Sequence, residues 1–224
     1  HETGKPWQQI MKRMNASPER MLPKTESGWY NKGTKRALDL FILASAHVLL
    51  FPMWLVLWIG VTAVLLLSQG RPIFYSQHRV GRNGRTFRAW KFRTMVKDAD
   101  RKGPVWTTVD DPRITRIGHA LRRTALDELP QIFNIAVGDM SFVGPRALAA
   151  AEIENLRIQG LPVDQRTRVR PGLTGLAQLR SARGDAANKI EHDIRYIESM
   201  SLVLDVKIVF LSIWHTISRK WDHG

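Results

Sequence analysis

The sequence of 224 residues contains no cysteine. This absence excludes a disulfide framework, thiolate zinc sites and a cysteine nucleophile. Acidic residues are scarce relative to basic ones, with 20 Asp+Glu against 34 Lys+Arg and a formal net charge of +14. Such an excess indicates an anionic partner, which is nucleic acid, an acidic lipid surface or a phosphorylated substrate. With 44% hydrophobic residues and 8 Trp, the chain is too apolar to be a disordered polycation.

Several catalytic signatures are also missing from the sequence. Its 7 histidines show no HExxH spacing, which argues against a zincin, and there is neither a Walker A motif nor a GxSxG motif. The glycines at Gly81 and Gly84 belong to a predicted hairpin turn rather than to a dinucleotide-binding loop. We interpret His119 as a structural residue.

One long apolar run extends from Leu40 to Leu67 and contains no charged residue. It is long enough for a membrane helix, and it lies too far into the chain for a signal peptide. Pro52 interrupts the run, and an interior proline kinks a helix. Each arm would span only about 18–22 Å at ~1.5 Å per residue, less than a hydrocarbon core of ~30 Å. The run predicts either two arms that enter and leave by one membrane face or a single straight span; a buried core helix is disfavoured because no polar face is visible.

Basic residues flank both ends of this run, namely Lys32, Lys35 and Arg36 before it and Arg71, Arg79, Arg82 and Arg85 after it. Positively charged flanks favour the cytoplasmic side, so paired flanks favour a re-entrant helix bent at Pro52. Residues 71–124 carry 14 Lys+Arg against 4 Asp, which is +10 of the total charge. A basic segment directly after a membrane run is typical of a surface that faces lipid headgroups or phosphates. The simpler alternative is a basic surface that only faces water.

The rest of the chain predicts a small mixed domain. Residues 73–79 and 86–93 are strand-like, and Asn83-Gly84 between them predicts a hairpin. Residues 147–159 and 191–220 have helical periodicity. The second of these helices either lies at a membrane interface, with Trp214 and Trp221 as anchors, or packs in the core.

Two adjacent carboxylates, Asp127 and Glu128, are the strongest chemical signal. Thr124 and Asp127 have the spacing of a capping box, which gives a purely structural interpretation. Arginines on both sides, including Arg122 and Arg146, favour a functional role for the two carboxylates instead. Carboxylates among arginines suit a site where a divalent cation meets a diphosphate. A carboxylate can also attack phosphorus and form a covalent intermediate.

These features continue into a series of motifs that resembles a known family. They are Lys35-Arg36-Ala37-Leu38-Asp39, the apolar run broken at Pro52, Lys91-Phe92-Arg93-Thr94-Met95, Asp111-Pro112-Arg113-Ile114-Thr115-Arg116-Ile117-Gly118, the segment 122–131 around the dyad, Gly138-Asp139-Met140-Ser141-Phe142-Val143-Gly144-Pro145-Arg146 and Arg170-Pro171-Gly172-Leu173-Thr174-Gly175-Leu176-Ala177-Gln178. From about Lys32 to about Lys220 the chain resembles the bacterial monotopic phosphoglycosyl transferases, which start lipid-linked glycan assembly.

The resemblance implies a fold and an activity. The fold would be α+β and monotopic, with a Pro-kinked re-entrant membrane helix, interfacial amphipathic helices and a small catalytic domain that contains a β-hairpin. The enzyme would transfer a sugar-1-phosphate from a UDP-sugar to polyprenol (undecaprenyl) phosphate and release UMP. It would act at the cytoplasmic face of the bacterial inner membrane, among membrane lipids and without nucleic acid, in glycan or exopolysaccharide assembly. A homodimer is compatible with this picture.

The resemblance also implies roles for single residues. Asp127 would be the nucleophile that forms an aspartyl phospho-sugar, and Glu128 would complete the dyad. Both would contact Mg²⁺ or Mn²⁺. The implied substrate- and phosphate-binding residues are Lys91, Arg93, Arg122, Arg146, Arg170 and Arg183. Phe51 stands before Pro52 where some members have Ser, and Phe cannot bond a freed carbonyl as Ser could. Ala147 stands where the family usually has Pro, which would loosen that turn slightly.

The expected organisation is an irregular leader over residues 1–31, a re-entrant hairpin over 32–70 and a catalytic domain over 71–224. The chain begins with His1 rather than Met, so part of the leader is interpreted as a cloning remnant. The implied unit is a minimal catalytic one that lacks the N-terminal membrane region of larger members. The alternative from another functional class is a non-catalytic, membrane-tethered module that binds polyanions through the same charge.

Overall fold

The computed structural model describes residues 30–99, 111–180 and 185–218, and it is a mixture of helices and small sheets. Its helices are α1 Lys35–Leu49, α2 Phe51–Gln69, α3 Arg116–Arg123, α4 Gln131–Val137, α5 Ala150–Ile158, α6 Leu176–Arg180, α7 Ala186–Ser199 and α8 Leu202–Ile217. Its strands are β1 Phe74–Val80, paired antiparallel with β2 Thr86–Phe92, and β3 Ser141–Val143, paired parallel with β4 Gly172–Thr174. Short helical turns occupy Tyr30–Thr34, Arg82–Gly84, Leu126–Glu128 and Val163–Arg168.

The apolar run folds as two helices rather than one. Leu50, with φ −111° and ψ 22°, separates α1 from α2 and leaves the helical region. Pro52 lies in the first turn of α2. A proline fits there because the amide groups of a first turn have no partner within the helix. The proline therefore opens the second helix, and the break itself lies two residues earlier.

Both helices contact α4, which shows that they meet at an angle. The guanidinium of Arg36, at the start of α1, donates to the carbonyls of Ile135 and Ala136. The ring of Trp58, in α2, lies 5.6 Å from that of Phe133. A straight helix would carry Trp58 about 33 Å from Arg36 at ~1.5 Å per residue, whereas α4 is only about 10 Å long by the same rise. The chain must therefore turn at the break.

Both helices expose large apolar surfaces. In α1 and α2 the exposed side chains include Phe41, Val48, Phe51, Val56 and Leu67, of which Leu67 is 88% exposed. By length and composition, Phe51–Gln69 is long and apolar enough to cross a membrane, and 6% of its most apolar window is buried. Exposed apolar areas of this kind mark surfaces that contact a membrane or another protein.

The predicted hairpin is confirmed within one residue at each strand end. Phe74 pairs with Phe92 and Val80 with Thr86. Asn83 and Gly84 in the turn have φ angles of 57° and 75°, the left-handed region that Asn and Gly adopt most readily. The hairpin brings Lys91, near the end of β2, towards the turn that carries the dyad.

The C-terminal part of the chain differs from the prediction of one helix over residues 191–220. Two helices form instead, because Met200 and Ser201 adopt extended backbone between them. The Ser201 hydroxyl accepts a hydrogen bond from the Leu204 amide and begins α8. Along α8, apolar side chains remain exposed, including Val203, Phe210, Trp214 and Ile217. The predicted anchor Trp221 and most of the leader over 1–31 lie outside the described residues.

A buried polar cluster joins α8 to the start of α1. The carboxylate of Asp205 forms an ion pair with Lys35 and accepts hydrogen bonds from the hydroxyls of Tyr30 and Tyr196, at 2.8 and 2.7 Å. Asp205 is 4% exposed and Lys35 5%. Buried charges of this kind are stable only while each retains its partner. The cluster therefore fixes where α8 lies relative to the first apolar helix.

Substitution of this carboxylate should destabilise the protein. We expect Asp205→Asn to lower the free energy of unfolding by about 3 kcal/mol, because the buried Lys35 ammonium loses its counter-charge. The measurement is the thermal midpoint of the purified protein in detergent. Glu154→Gln is the matched control, since its ion pair with Arg157 is exposed and should contribute under about 1 kcal/mol. Equal shifts in the two variants would show that the cluster does not stabilise the fold.

Candidate active site

A cleft of about 1010 Å³ lies between the hairpin, the dyad, α1 and α8. One part of its lining is charged and includes Arg79, Lys91, Arg122, Asp127, Glu128 and Arg146. Another part is apolar and includes Ile42, Leu43, Ala46, Trp54, Val209, Ile213 and Ile217. The same cavity therefore offers phosphate-binding cations and a surface contributed by the apolar helices.

The dyad occupies a strained turn after α3. Ala125 has φ 56° and ψ 13°, a left-handed conformation that costs a residue with a Cβ about 1–2 kcal/mol. The helical turn Leu126–Glu128 follows directly. The capping-box interpretation is wrong: Thr124 lies at the end of α3, where its hydroxyl donates to the carbonyls of Ala120 and Leu121. The turn places both carboxylates in the cleft lining.

The two carboxylates have different surroundings. Oε1 of Glu128 accepts hydrogen bonds from Nζ of Lys91 at 2.5 Å and from Nη2 of Arg146 at 3.2 Å. Asp127 is only 7% exposed, yet no residue of the described ranges donates a hydrogen bond to its carboxylate. Glu128 is therefore held by two cations, while the oxygens of Asp127 keep their lone pairs available.

This difference separates the acidities of the two groups. Burial raises the pKa of Asp127 above the ordinary 3.8; the charge of Lys91 opposes that rise, and the charge of Glu128 adds to it. Burial alone would also raise the pKa of Glu128, but the charges of Lys91 and Arg146 outweigh it and hold the pKa at about 2. Pairs of carboxylates whose pKa values are pushed apart are characteristic of sites where each carboxylate has its own role.

A close packing contact positions Arg122. A Cβ on Gly118 would lie 2.0 Å from the carbonyl oxygen of Thr94, so only glycine allows α3 to approach the end of β2 this closely. Nε of Arg122 then donates to the Thr94 hydroxyl at 2.8 Å. This bond holds the guanidinium at the cleft near Asp127. Gly118 and Arg122, from two of the family motifs, therefore act together: the glycine permits the close contact that brings the arginine to the cleft.

The backbone of Arg146 is held in place by two residues whose role the sequence did not indicate. Nη2 of Arg166 donates to the Arg146 carbonyl at 3.0 Å, and its Nε forms a buried ion pair with Asp193 at 2.7 Å. The signal was present in α7, where Asp193 lies beside Ile194 on the buried face. A carboxylate on a buried helix face predicts a buried cationic partner, although not which one.

Arg79 is a third residue whose role the sequence did not reveal. It lines the cleft, and its guanidinium donates to Glu152 at 2.7 Å and to the carbonyl of Ala147 at 3.2 Å. Glu152 in turn accepts from the amide of Ala149 at 2.6 Å, at the start of α5. Arg79 therefore ties strand β1 to the segment that follows Arg146.

The family assignment comes from a comparison of the whole chain with family models. Residues 30–219 match the model described as bacterial sugar transferase. The chain belongs to this family. The match covers nearly the whole chain and so includes the dyad, the arginines around it and every residue of the cleft lining.

Curated relatives agree with this assignment. The chain is 38% identical over 218 residues to the UDP-glucose:undecaprenyl-phosphate glucose-1-phosphate transferase of Escherichia coli, covering 94% of this chain and 46% of the relative. It is 39% identical over 197 residues to exopolysaccharide production protein ExoY of Sinorhizobium fredii, covering 80% of this chain and 84% of the relative. A UDP-N-acetylgalactosamine-undecaprenyl-phosphate N-acetylgalactosaminephosphotransferase of Aeromonas hydrophila is 36% identical over 183 residues, with 80% and 42% covered. The chain thus spans less than half the length of the first and third relatives.

The remaining predicted site residues of this family member fall in different places. Arg93 lines the cleft, but its Nη2 donates to the carbonyls of Gln69 and Gly70 at 2.6 and 2.9 Å, so it closes the end of α2. The structure does not bring Arg170 to the cleft lining; its Nε donates to the carbonyl of Gly138 at 2.8 Å, beyond the end of α4. Arg183 lies outside the described residues.

The oxygen atoms of the dyad would suit a magnesium ion that is shared with a substrate phosphate. Within the described ranges no group of three or more His, Asp or Glu side chains is arranged to hold a metal by itself. Mg²⁺, however, commonly binds through one or two carboxylates together with substrate phosphates. The unbonded Asp127 carboxylate and the second oxygen of Glu128 are suitable oxygen donors for such an ion.

Proposed function

We propose that this protein transfers a sugar-1-phosphate from a UDP-sugar to a polyprenol phosphate and releases UMP, with Asp127 as a covalent nucleophile. The observation that carries the proposal is the asymmetry of the dyad: Glu128 is bonded to Lys91 and Arg146, whereas Asp127 is buried and unbonded within the described structure. The names of the relatives support the donor and acceptor classes. They include glucose and N-acetylgalactosamine donors, so the proposed donor is the class of UDP-sugars.

In the first step an Asp127 oxygen attacks the β-phosphorus of the UDP-sugar. The new aspartyl oxygen–phosphorus bond forms as the bond from that phosphorus to the bridging oxygen breaks, and UMP leaves with the electron pair. In the second step an oxygen of the polyprenol phosphate attacks the same phosphorus, and the Asp127 carboxylate leaves. The products are polyprenyl diphospho-sugar and free enzyme, and no proton has to be supplied.

The cations around the dyad have a direct role in this scheme. Phosphoryl transfer depends mainly on positioning and on neutralisation of the oxygens that surround phosphorus. Lys91, Arg122 and Arg146 line the same cleft as Asp127 and are suited to binding the diphosphate. Glu128 keeps Lys91 and Arg146 in place through its bonds to both. When bound by the two carboxylates, Mg²⁺ would neutralise part of the phosphate charge.

The apolar part of the cleft suits a lipid acceptor. Its walls come from α1 and α2 on one side and from α8 on the other, and these helices expose apolar surface elsewhere. We infer that α1 and α2 form a re-entrant hairpin in the cytoplasmic leaflet of the inner membrane. The bend between them and the basic residues at both ends of the run support this, since both flanks prefer the cytoplasmic side.

The test uses the full chain in lipid nanodiscs with Mg²⁺. UDP-glucose, UDP-galactose, UDP-N-acetylglucosamine and UDP-N-acetylgalactosamine are each supplied with undecaprenyl phosphate, and UMP is measured. We expect UMP release with at least one donor. No release with any of them, combined with salt-sensitive binding of unrelated nucleic acids, would instead support the non-catalytic polyanion-binding module.

A further inference from the structure

The break between α1 and α2 has little support from its own residues. Pro52 has no amide proton, so the carbonyl one turn before it lacks its usual helical donor. Phe51 precedes it and has no polar side-chain atom. The residue at the N-terminus of α2, Leu50, forms no side-chain capping bond. Both helices contact α4, but a bond that joins them directly across the break must come from a side chain farther along the chain.

Trp54 supplies a bond across this break. Its indole Nε1 donates to the carbonyl oxygen of Ala46 at 3.1 Å, although that oxygen already accepts the Leu50 amide at 3.0 Å. Its ring stacks on His47, with centroids 4.8 Å apart and planes 2° from parallel. The His47 ring is itself fixed, because Nδ1 lies 2.7 Å from the carbonyl oxygen of Leu43. Trp54 thus binds the last turns of α1 by two independent contacts.

Both contacts require the bent arrangement. In a straight helix Ala46 and Trp54 would be about 12 Å apart along the axis at ~1.5 Å per residue, too far for the stack and the hydrogen bond together. Surrounding apolar groups strengthen the indole bond, because little water competes for the carbonyl. The contacts therefore exist in the bent state and are lost when the helices straighten.

The same residues form part of the cleft. Leu43, Ala46, His47 and Trp54 all line it, at the part that is contributed by the apolar helices. We propose that Trp54 is a positioning residue: its bond to Ala46 and its stack on His47 hold α1 and α2 at the angle that shapes the apolar wall for the isoprenoid chain of the acceptor. The part concerning the acceptor rests on the proposed function; the part concerning the angle does not.

The angle is tested by a distance measurement that needs no activity. Because the sequence contains no cysteine, Phe41→Cys with Leu67→Cys gives two unique spin-label sites, at positions 69% and 88% exposed. We expect one narrow distance distribution by pulsed electron resonance in nanodiscs. Trp54→Phe, which keeps a ring but removes the donor, should broaden and lengthen it, and Trp54→Leu should do so further. Val56→Ala, two residues along the same helix at a position that is 72% exposed, should leave it unchanged.

Kinetics test the acceptor part on the same variants. For Trp54→Phe we expect the KM for undecaprenyl phosphate to rise about 10-fold, while the rate of the acceptor-independent adduct step changes less than about 2-fold. An unchanged distance distribution would overturn the proposal whatever the kinetics show. A broadened distribution with an unchanged acceptor KM would overturn the link to the acceptor. A broadened distribution in a protein that never releases UMP would support the bond across the break and reject the proposed function.

Discussion

Asp127→Asn is expected to abolish sugar-phosphate transfer, with a loss of at least about 10⁴-fold in kcat. The amide is nearly the same size as the carboxylate but cannot attack phosphorus, so the covalent step is lost while the fold is retained. Intact mass spectrometry provides the decisive measurement. Wild-type protein incubated with its UDP-sugar and Mg²⁺ but without acceptor should gain the mass of one phospho-sugar, and the variant should gain none.

Two controls separate chemistry from folding. Asp164→Asn removes a carboxylate whose side chain is 77% exposed and should keep wild-type activity. Glu128→Gln should lose activity, because Lys91 and Arg146 lose the oxygen that holds them, but it should still acquire some adduct. If Asp127→Asn formed the adduct, the nucleophile would be another residue, and peptide mapping of that adduct would identify it.

Lys91→Met should reduce kcat/KM about 10²–10³-fold, the usual effect of removing one charge-stabilising donor from a site. It should also change the pH profile. Asp127 must be ionised to attack phosphorus, and burial raises its pKa above 3.8. The acid limb of the pH profile, where wild-type activity rises with pH as Asp127 ionises, should therefore lie above pH 3.8. Lys91 lowers that pKa in part. Its removal raises the pKa further, and the acid limb should move to higher pH.

The acceptor-independent adduct rate, measured from about pH 4 to pH 8, gives this profile directly. Lys91→Arg should restore part of the rate and return the limb towards its wild-type position, because it restores the charge. Lys189→Met, on α7 and outside the cleft lining, is the matched control. A limb that stays in place in Lys91→Met would show that Lys91 does not set the ionisation of Asp127.

The cleft accounts for how one site could serve both the soluble donor and the membrane lipid of the proposed reaction. Its cations come from the hairpin, from α3 and from the loop that carries Arg146, whereas its apolar lining comes from α1, α2 and α8. Asp205 and Lys35 connect α8 to α1 through a buried ion pair. The relative placement of the two linings therefore depends on contacts remote from the dyad, and stability and acceptor binding should be coupled there.

Much of this arrangement could be predicted from local patterns. The prediction of the β1–β2 hairpin was correct within one residue, because Asn83 and Gly84 readily adopt the left-handed conformations that this turn requires. The interruption at Pro52 predicted a break, and the structure places it at Leu50, since proline fits the first turn of the following helix. Motifs of a known family placed Asp127 and Glu128 together with Lys91, Arg122 and Arg146, and all five line one cleft. Phosphate binding by Arg170 lacks such support, because its guanidinium lies at the end of α4.

By itself, then, the sequence determined which chemical groups are available and where the hairpin turns. It also determined that two neighbouring carboxylates lie among basic and apolar segments. Only the tertiary structure decided how these carboxylates differ. Glu128 meets Lys91 from β2 and Arg146 from a loop, whereas Asp127, its immediate neighbour, meets neither within hydrogen-bonding distance. The physical reason is that pKa and bond strength depend on burial and on charges brought within a few ångströms by distant segments. Two neighbouring carboxylates with similar intrinsic acidity therefore acquire different pKa values and different partners only in the folded protein.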